Sequence, residues 1–346
     1  MLESDDKLFE IWKQFDFNID PSNAETEKEK FLKNRDYSPK FEYLRVLNLE
    51  HFKKNLLNIK TDNSWIGKLI KERIENILKK VEMLSNRNNE SFTKSSVQLF
   101  GKPSKETTDE AKKLLQLREE LEIKNLFCTD ARRIISRALV ENKLRGWHVE
   151  IRDDMSATAK VDSADRVVCI KKGEKFSSSG IERLIVHELQ THAFRLENAR
   201  LQKYKLFQIG FPNYLVTEEG IATLNEEKAE YLLNDKIKKL YAGRIIAVNL
   251  ALEKGFADVF AELEKYFSEE DAWNITLRVK RGLQNTGHAG AFTKDHLYLT
   301  GNLKIKEFLK KGNLTDLYVG KIGIEHLPLM KDFKELKQHV FLPNIK

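Results

Sequence analysis

Apolar residues recur along most of this chain at intervals of three and four, the spacing that gathers them on one side of an α-helix. The pattern predicts helices over about residues 2–16, 23–34, 62–86, 106–121 and 129–143, with Asp62 or Ser64 placed to cap the third. Between residues 146 and 172 the period shortens to two. Trp147-His148-Val149-Glu150-Ile151-Arg152 alternates, and Arg166-Val167-Val168-Cys169-Ile170 is a β-branched run between turn-forming segments, which together predict a small antiparallel sheet. Helical spacing resumes after Ser177-Ser178-Ser179-Gly180 and continues to about residue 310, with breaks near 210–213 and 285–290. The expected fold class is α+β, mainly α, with an N-terminal helical region over 1–145 and a second region over 146–346, closely joined or forming one unit.

Composition narrows the class. A chain of 346 residues that is 41% hydrophobic and 33% charged is built to fold around a sizeable core. No run approaches the eighteen or so apolar residues of a membrane span. The acidic start Met1-Leu2-Glu3-Ser4-Asp5-Asp6 lacks the basic and then apolar order of a secretory leader, so a cytoplasmic location and no membrane partner are expected. Cys128 and Cys169 stand alone and read as free thiols. The net charge of +7 is spread along the chain. Basic pairs such as Lys79-Lys80, Lys112-Lys113 and Lys310-Lys311 lie in helical stretches that also carry acids, which reads as solvated surface and argues against nucleic acid as a partner.

The chemistry is concentrated in the helix over about 181–200. Ile181, Leu184, Ile185, Leu189, Ala193 and Leu196 form an apolar stripe, and Glu188 and His192 fall on it, one residue after His187 in the first case. A carboxylate turned toward a core is costly unless a charge or a metal compensates it. Two imidazoles and a carboxylate within six residues suit a zinc ion, with Glu188 placed to take a proton from water. The spacing is HExxxH, one residue longer than HExxH. On an ideal helix residues at i and i+4 lie about 40° apart, whereas i and i+5 lie about 140° apart and cannot converge on one ion. One inserted residue would bring them together, so a π-type turn is predicted near 189–191.

Further on, Thr217-Glu218-Glu219-Gly220-Ile221-Ala222 reads as a second helix start with Thr217 as its cap, which brings a third ligand. Periodicity leaves Glu218 and Glu219 equally placed for that role. Near the end, Trp273, Leu277 and Arg281 line up at i, i+4 and i+8 on a helix from about 269.

These motifs together resemble the tyrosine/matrix carboxypeptidase family, which includes the microtubule-associated tyrosine carboxypeptidases and bacterial relatives with a Gln-Glu-Gly-Leu-Ala motif. The resemblance is carried by His187 to His192, and by Glu-Glu-Gly-Ile-Ala over 218–222, where the family has Gln-Glu-Gly-Leu-Ala. It extends over Asp20-Pro21-Ser22-Asn23-Ala24, Pro39-Lys40-Phe41-Glu42-Tyr43, Arg278-Val279-Lys280-Arg281-Gly282 and Phe292 to Gly301, or about residues 17–310. It implies a helical zinc metallopeptidase with its sheet beside the HExxxH helix. It also selects Glu219 over Glu218, so that one zinc ion would sit on His187, His192 and Glu219 with Glu188 as general base.

The same resemblance implies a carboxypeptidase whose partner is a peptide or protein C-terminus, tyrosine being the residue that the eukaryotic relatives remove. Such an enzyme needs a cation for the terminal carboxylate, and Arg281 and Arg278 are the expected candidates, with Tyr298 as a donor to the developing oxyanion. A zinc endopeptidase or dipeptidyl-type peptidase on the same site, and a silent regulatory protein on the same scaffold, are the alternatives.

Overall fold

The computed structural model describes the chain apart from residues 1, 16, 47, 89–90, 119–122, 154, 156, 230–234 and 344–346. Its first part is helical, with helices Leu2–Trp12, Ala24–Lys33, Leu49–Leu57, Trp65–Ser85, Ser91–Phe100, Lys105–Leu114 and Cys128–Glu141. Ser64 caps the long one, its hydroxyl accepting from the Gly67 N–H at 3.1 Å, while Asp62 accepts from the Ser64 N–H and so holds the cap itself. Leu49–Leu57 and Ser91–Phe100 are absent from the sequence reading. They span nine and ten residues, and Ser91, Thr93, Ser95 and Ser96, all weak helix formers, blur the second. The predicted helix over 106–121 stops at Leu114, and residues 119–121 lie outside the described residues, as does residue 16 of the first helix.

Five short strands follow: β1 (Leu126–Phe127), β2 (His148–Arg152), β3 (Ala159–Asp162), β4 (Val167–Lys171) and β5 (Lys175–Phe176). The expected antiparallel pairing of the two central runs is wrong. β2 runs parallel to β4, with His148 opposite Val167 and Arg152 opposite Lys171. The missed strand β3 occupies the other side of β4 and supplies the antiparallel pairing, Ala159 opposite Ile170. The reason is connection length. Fourteen positions separate the two runs, enough for the chain to turn twice and come back parallel, whereas a tight hairpin would have forced antiparallel pairing.

Helices on both sides of residue 145 build the same cores. Phe31 and Phe41 pack edge-on with Phe256, and Phe31 also meets Phe260 and Trp273. Leu8, Phe52, Ile70 and Ile77 share a core with Phe207, Ile209, Phe211 and Ile322. The sheet, Cys128–Glu141 and the motif helix close a third core around Ile135, Ile170, Leu189 and Tyr318. Among the described residues no helix is long and apolar enough to cross a membrane.

Candidate metal centre

The motif helix is continuous from Ser178 to Leu201, opened by Ser177, whose hydroxyl accepts from the Gly180 N–H at 2.9 Å. Its middle, Ile185–Ala193, is a π-helix, and the Phe194 N–H reaches back five residues to the Leu189 carbonyl. The widened turn is held by side chains. Thr191 Oγ1 donates to the Val186 carbonyl at 3.2 Å and accepts from Asn225 Nδ2 at 2.8 Å, and the Tyr318 hydroxyl donates to the Gln190 carbonyl at 3.0 Å. Carbonyls that a wider turn leaves poorly matched are thereby satisfied. The consequence is the one the spacing demands: the His187 and His192 rings lie 5.0 Å apart, centroid to centroid.

The second helix, Leu215–Lys228, starts two residues before the predicted cap. Tyr214 already accepts from the Glu218 N–H at 2.9 Å, so Thr217 lies inside the helix and its hydroxyl accepts from the Ile324 N–H instead. This helix crosses Leu297–Phe308 at two glycines. A Cβ on Gly220 would lie 2.4 Å from the Gly301 carbonyl, and one on Gly301 would lie 2.1 Å from the Val216 oxygen. Only glycine permits this approach, and it sets the depth at which Glu219 stands.

Glu218 and Glu219 take different parts. Glu219 Oε2 lies 3.8 Å from His187 Nε2 and 4.0 Å from His192 Nε2, and it is buried without a hydrogen-bond partner. The ligand atoms of the three residues all fall within 4.8 Å of one another, a set that could hold a metal ion. Glu218 instead accepts from His192 Nδ1 at 2.9 Å and pairs with Arg195, which is fully buried and donates to the Leu317 and Ile322 carbonyls. Burial alone would raise the Glu218 pKa, but Arg195 and His192 outweigh it and pull it down to about 2.

His187 has an equivalent support. Its Nδ1 donates to Glu226 at 2.7 Å, and Glu226 also accepts from Arg183 at 3.1 Å and from the Tyr241 hydroxyl at 2.9 Å. Burial pushes the Glu226 pKa up, and Arg183 and His187 together bring it below its ordinary value. Both carboxylates are therefore ionised, acceptor-only partners. Each fixes the proton of its imidazole on Nδ1 and leaves the Nε2 lone pair for a ligand.

Glu188 is buried on the same turn, and its charge is among those that raise the His192 pKa against the effect of burial. Tyr298 stands 6.3 Å from His187, ring to ring. Burial first, and then the Glu219 charge, raise its pKa, so its hydroxyl stays a donor at neutral pH. Lys294 Nζ stands 3.5 Å from Glu219 Oε1. Two clefts of about 640 and 480 Å³, along the N-terminal helices, share no lining residue with this centre.

A model of the microtubule-associated tyrosine carboxypeptidase family matches residues 29–343. The chain belongs to that family. It is 30% identical to microtubule-associated tyrosine carboxypeptidase 1 of Rattus norvegicus over 169 residues, which is 46% of this chain and 33% of the rat protein. The Homo sapiens and Mus musculus proteins of the same name are 29% and 28% identical over 176 residues, 48% of this chain and 35% of each of theirs. The chain thus spans about a third of the length of these relatives.

The two predicted substrate arginines are already neutralised. Arg278 Nη2 donates to Asp295 Oδ1 at 3.0 Å, and its Nε pairs with the other oxygen of the same carboxylate. Arg281 lies just past the end of helix Glu269–Lys280, in extended backbone, and meets Asp20 at 2.8 Å and Asp295 at 3.5 Å. Sequence reading missed Glu226, Arg183 and Arg195. Glu226 follows Glu219 by seven residues and Arg195 follows His192 by three, so the helical period already places each on the face that carries a candidate ligand.

Proposed function

We propose that this family member is a zinc-dependent carboxypeptidase that removes the last residue of a peptide or protein chain. The observation that carries the reading is a buried Glu219 oxygen, without a hydrogen bond, facing two imidazole nitrogens whose opposite ring atoms are tied to carboxylates. A buried carboxylate oxygen in that position calls for a cation, and two nitrogens with one oxygen suit zinc. His187, His192 and Glu219 would hold it. When bound, zinc supplies Lewis acidity toward water and toward a peptide carbonyl.

The rest is done by the chain itself. Glu188 takes a proton from the attacking water and passes it to the nitrogen of the leaving residue. The Tyr298 hydroxyl, kept protonated, donates to the oxygen on which negative charge develops. Glu218 and Glu226 hold the imidazoles in one tautomer throughout. The exopeptidase part of the reading is supported by the relatives' names, which make a C-terminal tyrosine the first residue to try.

Elemental analysis of the purified protein tests the centre. About one zinc per chain is expected, lost or strongly weakened in His187→Ala, His192→Ala and Glu219→Ala. Stoichiometric zinc at unchanged affinity in Glu219→Ala would remove that residue from the ligand set and overturn the reading of the centre.

A further inference from the structure

What distinguishes a chain end from an internal bond is its terminal carboxylate, and a buried or half-buried guanidinium is the side chain best shaped to receive it. Most cations around the centre are committed: Arg183 to Glu226, Arg195 to Glu218, and Arg278 and Arg281 to Asp295 and Asp20. Arg244, on the helix Asp235–Ala251, differs from all of them. Among the described residues it forms no ion pair, and its buried Nε has no hydrogen-bond partner.

Its guanidinium is held by rings instead. The central carbon stands 4.6 Å from the centroid of Tyr298 and 5.1 Å from that of Tyr241, and these two rings stack 5.4 Å apart at 10°. Both rings belong to the centre, since Tyr298 neighbours His187 and Tyr241 donates to the carboxylate that orients His187. Aromatic contact holds a guanidinium in place while consuming none of its N–H donors. Arg244, Tyr298 and Lys294 are partly exposed where Asp295, Tyr241 and Arg195 are buried, so this corner of the centre reaches the surface through these three side chains.

We infer that Arg244 receives the terminal carboxylate of the substrate, with Tyr298 as the platform that aims its guanidinium. The inference rests on the carboxypeptidase reading above and names its substrate-binding residue. Nearby Asp295 is saturated by Arg278 and Arg281 and does not compete, although its charge keeps Arg244 attracted to this corner of the site.

The probe is an N-acetylated hexapeptide ending in tyrosine, made as the free acid and as the C-terminal amide. Zinc-loaded wild-type, Arg244→Gln and Arg244→Lys proteins are compared by kcat/KM on both peptides. Fluorescence anisotropy gives Kd for labelled copies on a Glu188→Gln background, a readout independent of turnover. Wild type should favour the acid by more than about tenfold, because the amide leaves a desolvated cation unpaired. Arg244→Gln should bring the ratio near unity through a higher KM and Kd for the acid alone, and Arg244→Lys should fall between.

An unchanged acid-to-amide ratio in Arg244→Gln, or an equal loss on both peptides, overturns the inference and assigns Arg244 to structure. If Arg244→Gln does not fold, Arg244→Lys decides by the same ratio. Should wild type release no terminal residue from either peptide, the carboxypeptidase reading itself fails and the inference with it.

Discussion

Gly220→Ala should destabilise the protein, although alanine is the better helix former. In an exposed helix interior the exchange would add about 0.5–1 kcal/mol of stability. Here the new Cβ would lie 2.4 Å from the Gly301 carbonyl, where ordinary contact begins at 3.4 Å, so the two helices must part by about 1 Å. Overpacking of that kind costs about 1–3 kcal/mol, which offsets the propensity gain and leaves a net loss of up to about 2.5 kcal/mol. The shift also moves Glu219, the next residue in the chain, away from the imidazoles. Urea denaturation of the metal-free protein measures the first effect and zinc titration of the folded protein measures the second. A variant as stable as wild type or more so would show that the crossing is looser than described, and would break the argument that these glycines set the position of Glu219.

Glu226→Gln should weaken zinc binding by roughly 10–100-fold, since it removes the charge that fixes the His187 tautomer, and should also lower stability by leaving Arg183 without its acid; competition of the folded protein with a zinc chelator reads the first effect directly, and unchanged affinity would make Glu226 a packing residue only. Asp295→Asn should cost about 3–5 kcal/mol at neutral pH, because it leaves the half-buried Arg278 without its acid and takes from Arg281 one of the two acids it meets. The sign with pH follows from the pair. Burial raises the Asp295 pKa, but Arg278 and its neighbours hold it well below the ordinary 3.8. Its contribution to stability is therefore complete above that value and is lost as pH falls beneath it. Denaturation midpoints followed from pH 6 downward should fall more steeply below about 4 in wild type than in Asp295→Asn, and parallel curves would contradict the assignment.

The sequence carried more of the centre than of its surroundings. His187, Glu188, His192 and the need for a widened turn follow from one spacing, because five residues on a regular helix point two imidazoles apart. How the turn is held was not legible, because Asn225 and Tyr318, which bond Thr191 and the Gln190 carbonyl, come from distant segments that no local pattern links to it. Choosing Glu219 over Glu218 was beyond periodicity. The two residues differ only in which imidazole atom they meet, and that depends on a crossing at Gly220 and Gly301 that brings together helices far apart in the chain.

Arg278 and Arg281 were attractive by type and position, but an arginine's use is decided by its acid, and Asp295 was not visible as one. The parallel pairing of β2 and β4 was hidden for a similar reason. Its cause is β3, a four-residue strand whose alternation is too brief to stand out.

The central claim is metal-dependent removal of a single C-terminal residue, and mass spectrometry of one free-acid peptide ending in tyrosine tests it most directly. Incubated with zinc-loaded protein, the peptide should lose the mass of its last residue and nothing else. A chelator should stop the loss, added zinc should restore it, and Glu188→Gln should show none while still holding its metal. Internal fragments, or a loss that persists with chelator or with Glu188→Gln, would contradict the account.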